Sequence, residues 1–96
     1  MFLISLTYTK PLIEIDKYLS AHSEFLDKKY AAGILIFSGR KVPRTGGLFL
    51  TTLTNREAVD EMIHEDPFHE HRLANYEIIE FTPTKWDPRF APFCPK

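Results

Sequence analysis

The order in which hydrophobic periodicity changes along this chain limits its fold more than any single motif does. From Phe2 to Tyr8, the side chains Phe2, Ile4, Leu6 and Tyr8 alternate with Leu3, Ser5 and Thr7, the two-residue period of a strand with one strongly apolar face. After Lys10-Pro11 the spacing becomes helical and stays so to about Ala32. Gly33 is the expected terminator there, because glycine accepts the left-handed conformation that ends helices. Gly33-Ile34-Leu35-Ile36-Phe37-Ser38, closed by Gly39, reads as a second strand, and Gly46-Gly47 opens a third from Leu48 to Leu53.

Thr54-Asn55-Arg56-Glu57 matches a capping box with Thr54 as the cap, and Ala58, Val59, Met62 and Ile63 then repeat at helical spacing to about Glu65. Asp66-Pro67 stops this helix, since a residue before proline is pushed out of the helical region. Phe68 to Leu73 is expected to make one more short helical turn, and Tyr76 to Thr82 a fourth strand. The order β-α-β-β-α-β predicts an α+β, ferredoxin-like protomer, with a four-stranded antiparallel sheet and two main helices on one face.

A single helical layer leaves the other sheet face uncovered. Both faces nevertheless carry apolar residues: Ile34 and Ile36 oppose Leu35 and Phe37, and Ile78 opposes Ile79 and Phe81. A second copy of the chain is therefore expected to cover the open face, giving a homodimer. Residues 1–96 read as one domain, ending in a tail over 83–96. There, prolines at 83, 88, 92 and 95 alternate with Trp86, Phe90 and Phe93, a composition expected to be extended and to pack across its own domain or its mate.

A formal net charge of −1 argues against a nucleic-acid or anionic-membrane partner. The opening residues show neither a basic leader nor an apolar run long enough to span a bilayer, so the protein is expected to be cytoplasmic. The one cysteine, Cys94, has no internal disulfide partner, which fits a reducing compartment.

His22 stands in line with Ile15, Leu19 and Leu26, at steps of four, three and four, so an imidazole falls on an apolar stripe. A buried polar ring needs a partner. The rigid Asp66-Pro67-Phe68 turn supplies a carboxylate. If the two meet, Asp66 fixes the tautomer and His22 is left as a general base; otherwise His22 is a core histidine and Asp66 only a cap. Ser38, at the end of the second strand, is a candidate for positioning a substrate. Arg40, Lys41 and Arg44 form a positive loop, with Arg44 the favoured contact for a carboxylate or phenolate. His64, His69 and His71 lack a metal-ligand frame and read as surface histidines, and no phosphate loop, cysteine pair or GxSxG element is present, so neither metal nor cofactor is expected.

The ordered set His22, Gly33-Ile34-Leu35-Ile36-Phe37-Ser38-Gly39, Gly46-Gly47, Asp66-Pro67-Phe68 and Glu80-Phe81-Thr82-Pro83-Thr84 resembles the YCII-related (YciI-like) family over nearly the whole chain. The resemblance implies a dimeric α+β barrel and a candidate active site built on His22 and Asp66. Many relatives carry proline after the corner glycine, where this chain has Arg40. The resulting expectation is cofactor-free acid-base chemistry, of isomerase or dehydrochlorinase-like lyase type, on a small acidic or phenolic molecule. The alternative is a non-catalytic dimeric module that binds such a ligand.

Overall fold

The structure, a computed structural model, describes residues 1–94. Its elements are β1 (Phe2–Tyr8), α1 (Leu12–Asp16), α2 (Leu19–Ala31), β2 (Leu35–Arg40), β3 (Gly46–Thr51), α3 (Arg56–His64), α4 (Pro67–Glu70), β4 (Ala74–Glu80) and a closing 3₁₀ helix (Pro88–Phe93). The strands lie in the order β2-β3-β1-β4, and every neighbouring pair is antiparallel. Each helical crossover therefore skips one strand, which is the split βαβ arrangement expected of a ferredoxin-like sheet.

Register divides the sheet into two faces. Ser38, Phe49, Ile4 and Ile78 form one cross-strand row, and Arg40, Gly47, Leu6 and Tyr76 form the next. On this face Ile4, Leu6 and Phe49 are buried with Ile15, Phe25, Val59, Met62 and Phe68 from the helices. The opposite face carries Phe37, Leu50, Leu3 and Ile79 directly abreast across all four strands. Phe37, Leu48, Ile79 and Phe81 on that side remain between 36% and 45% exposed.

Several boundaries differ from those expected. The first helix is two helices, broken at Lys17–Tyr18, where Tyr18 leaves helical geometry (φ −113°, ψ 7°). The break lets α1 bury Ile15 while α2 carries His22 and Phe25 over the sheet, and the Tyr18 ring stacks on His71 at 4.0 Å. At its far end α2 closes as expected: Gly33 takes φ +75°, its N–H bonds the Tyr30 carbonyl, and Ile34 N–H reaches back to Lys29. The cap of α3 is Asn55, not Thr54. The Asn55 side chain accepts from the N–H groups of Glu57 and Ala58.

β3 begins at Gly46, earlier than expected, because glycine is what the spacing between β1 and β3 admits. A Cβ on Gly46 would stand 1.9 Å from the Leu6 carbonyl oxygen. β4 likewise begins at Ala74, two residues early, recruited by pairing with Tyr8 and Thr7 of β1. The tail is not extended throughout: Asp87 caps its 3₁₀ helix, accepting from Arg89 N–H at 2.9 Å and from the Arg89 guanidinium at both oxygens. Trp86, Phe90 and Phe93 stay about two-fifths exposed, and Phe93 borders a cavity together with Met1, Thr52 and Thr54 of the same chain. Pro95 and Lys96, the last residues of the expected tail, lie outside the described residues. No helix among the described residues is long and apolar enough to cross a membrane.

Candidate active site

Asp66 ends one helix and begins the next. Its backbone is extended (φ −72°, ψ 123°), Pro67 takes the first helical position of α4, and its Oδ1 accepts the Phe68 N–H at 3.0 Å. The carboxylate is completely buried. A buried carboxylate must be met by donors, and two further donors converge on it. His22 Nδ1 lies 2.8 Å from Oδ1, and the Tyr76 hydroxyl donates to Oδ2 at 2.6 Å. The capping and partner readings of Asp66 are thus both satisfied by one side chain.

An ionised carboxylate only accepts, so Nδ1 carries the proton of the His22–Asp66 bond, and in the neutral imidazole the lone pair is then on Nε2. Nε2 has no hydrogen-bond partner among the described residues, and the imidazole borders a cavity. The ring lies flat on Phe68, with centroids 4.0 Å apart and planes 4° from parallel, and Phe49 approaches at 6.0 Å. Burial, reinforced by the negative charge of Asp66, pushes the Tyr76 phenol far above the usual tyrosine range, so Tyr76 remains a donor.

The cavity, about 400 Å³, opens between α2 and the helix-facing side of the sheet. Leu6, Leu19, Leu26, Phe49 and Phe68 give it apolar walls, and Tyr8, Ser38, Arg40 and Arg44 give it polar ones. Gly47 leaves the floor between Arg40 and Leu6 free of a side chain, and a Cβ there would come within 2.9 Å of the Gly39 carbonyl oxygen.

The expected site residues mostly converge. His22, Ser38, Arg40 and Arg44 all line this cavity, and Asp66 lies directly behind the imidazole. Ser38 Oγ is 2.7 Å from the Tyr30 hydroxyl. The Arg44 guanidinium donates to Asp16 Oδ1 at 2.6 Å, and that bond raises its proton affinity further. Lys41 does not join them: its ammonium reaches the Thr7 hydroxyl at 3.2 Å, and Thr7 alternates with the helix-facing Leu6 and Tyr8. The three later histidines diverge, His64 meeting His69 edge-on at 4.7 Å and His71 stacking on Tyr18. Among the described residues no group of three or more His, Cys, Asp or Glu side chains is placed to hold a metal ion.

Tyr76 and Phe68 were not singled out from the sequence as parts of the site. Strand parity puts Tyr76 on the face of Ile78, a signal that was available, but only the register with β1 brings its hydroxyl to Asp66.

A family model for the YCII-related domain matches residues 1–82. No curated protein matches the chain. Among solved structures, the fold is similar to that of 5-chloro-2-hydroxyhydroquinone dehydrochlorinase (TftG) from Burkholderia phenoliruptrix AC1100, determined in complex with 2,5-dihydroxybenzoquinone. The TM-score is 0.67 at 18% sequence identity, covering 85% of this chain and 94% of that one. At this identity the likeness speaks for the fold alone, an α+β protomer with a four-stranded antiparallel sheet.

Proposed function

The chain belongs to the YCII-related family, and on that premise we propose that it is a cofactor-free enzyme whose His22 acts as a general base on a small, planar, acidic or phenolic molecule. The observation that carries the proposal is the buried Asp66 carboxylate 2.8 Å from Nδ1, which leaves Nε2 basic at the edge of a cavity. Nε2 takes a proton from an acidic C–H or O–H of the substrate. The electron pair left behind forms a new π bond, and the imidazolium is balanced by Asp66. In a lyase acting on the keto tautomer of a chlorinated phenol, that pair expels a leaving anion such as chloride from an sp³ ring carbon, and the imidazolium then gives its proton to solvent. In an isomerase the imidazolium returns its proton to a different carbon.

Substrate class follows from the walls. The apolar side chains and the slot between α2 and the sheet suit a flat ring, and Arg40 and Arg44 suit its ionised oxygens. Ser38, backed by the Tyr30 hydroxyl, positions a further polar substituent. The similar fold of TftG, a dehydrochlorinase seen with a dihydroxybenzoquinone, is compatible with this class.

The enzyme works as a homodimer in this account. Phe37, Leu50, Leu3 and Ile79 run abreast across the uncovered sheet face, with Leu48 and Phe81 beside them. An apolar row spanning a whole sheet is the pattern of a face that a second copy covers. A cytoplasmic setting would keep the free Cys94 reduced.

The test is a panel of hydroxylated, chlorinated and carboxylated benzenes, followed for both binding and turnover with wild type and His22→Asn. Turnover of a member by wild type, lost in a variant that still binds it, supports the enzyme. Tight binding by wild type with no turnover across the panel favours the binding module instead.

A further inference from the structure

Of the three donors that meet Asp66, Tyr76 alone comes from the sheet. It stands on β4 opposite Leu6 of β1, and its hydroxyl is the hydrogen bond recorded at Oδ2, whereas Oδ1 accepts from both Phe68 N–H and His22 Nδ1. We propose that Tyr76 is a positioning residue for the base: its hydrogen bond to Oδ2 holds the Asp66 carboxylate in the orientation that keeps the His22 proton on Nδ1 and the lone pair on Nε2. This inference rests on the reading of His22 as the base and extends it one residue further from the substrate.

The argument is one of satisfaction in a dry place. Asp66 is wholly buried, so water does not readily stand in for the phenol. Without the Tyr76 hydroxyl, Oδ2 is a bare carboxylate oxygen inside the protein. It can relieve this by rotating toward the donors at Oδ1, or by taking up a proton. Rotation breaks the line from Oδ1 to Nδ1, and protonation removes the charge that favours a donor there. Both routes free the ring to carry its proton on either nitrogen. The phenol is suited to the task because burial and the Asp66 charge keep it protonated, so it donates where a phenolate would repel.

Other groups do not duplicate this control. Tyr8 of β1, Arg40 of β2 and Arg44 of the following loop face His22 across the cavity, and none of them hydrogen-bonds to it. His69 lies on the other side of Tyr76, its ring centroid 5.8 Å from the phenol ring, and with His64 and Asp60 it borders a separate cavity of about 280 Å³.

The experiment is ¹⁵N NMR of the His22 ring at a pH where it is neutral, in wild type, Tyr76→Phe and Asp66→Asn. In wild type the two ring nitrogens are expected to be widely separated, Nδ1 at a protonated shift and Nε2 at an unprotonated one. In Tyr76→Phe the two signals are expected to converge as the tautomers mix, and in Asp66→Asn the further change Tyr76→Phe is expected to have no added effect. Wild-type separation retained in Tyr76→Phe would overturn the proposal. Should that variant fail to fold, 4-aminophenylalanine placed at position 76 keeps the shape with a weaker donor, and the signals should converge part way; unmoved signals again overturn the proposal. The readout needs no substrate, so it is independent of the base reading. A His22→Asn protein with full turnover defeats the base and leaves the tautomer result standing.

Discussion

The imidazole of His22 is stacked on the phenyl ring of Phe68, with centroids 4.0 Å apart and planes within 4° of parallel. Phe68 is two residues after Asp66, so a single Asp-Pro-Phe turn supplies both the carboxylate that meets Nδ1 and the flat surface that fixes the plane of the ring. Orientation about two axes comes from three consecutive residues, and a histidine held this way needs little rearrangement to act on a bound molecule.

Phe68→Leu keeps a buried apolar side chain but removes the stacking surface. It is expected to lower stability by about 1–2 kcal/mol in urea unfolding, because Phe68 is only 1% exposed. It is also expected to reduce turnover by more than that loss of folded protein explains. Activity per folded molecule equal to wild type would show that stacking has no part in the site.

Gly46→Ala would drive a methyl group to 1.9 Å from the Leu6 carbonyl oxygen, backbone that cannot step aside. The expected cost is about 3 kcal/mol or more, read as a large drop in melting temperature or loss of soluble protein. Gly39→Ala is the control, since nothing lies within 4 Å of a Cβ there, and it is expected to be far milder.

Stability at alkaline pH carries the signature of Tyr76. Its folded-state titration lies above the ordinary value of 10.0, so the folded protein holds this proton more tightly than the unfolded chain does. The corresponding stabilisation is complete below pH 10 and is lost as pH rises from there toward the folded-state value. Melting temperatures from pH 8 to 11 should therefore fall more steeply for wild type than for Tyr76→Phe. Parallel curves would contradict a buried phenol bonded to a carboxylate.

Leu3→Glu places a charge in the middle of the row Phe37, Leu50, Leu3 and Ile79. Wild type is expected to scatter light as a dimer at micromolar concentration and the variant as a folded monomer. A monomeric wild type would remove the second copy from the account.

The elements that were legible in the sequence are those marked by strong local chemistry. The alternation of β1, the left-handed Gly33 and the Asp66-Pro67 stop all act within a few residues, and each stands where expected. His22 and Asp66 were legible as a candidate pair, since a polar ring on an apolar stripe has to be met by something and the family resemblance implies both residues, but whether the two meet was open until the fold placed them 2.8 Å apart. What was hidden depends on register and packing. The break between α1 and α2 carries no glycine or proline, and is tied to the burial of Ile15 and the Tyr18–His71 stack. Thr54 and Asn55 are adjacent and both good caps, so composition does not choose between them. Gly39, Gly46 and Gly47 read as breakers yet sit in the ladder, where β3 crowds its neighbours at the latter two. Tyr76 joins the site only once β4 is aligned on β1.

The central claim is that His22 moves a proton of the bound molecule. It is met most directly by incubating the panel member that wild type binds best in deuterium oxide and following deuterium entry at its exchangeable C–H position by mass spectrometry. The account predicts entry well above the uncatalysed rate with wild type, and a return to that rate with His22→Asn at a concentration where the variant is saturated. Equal entry with both proteins would contradict it.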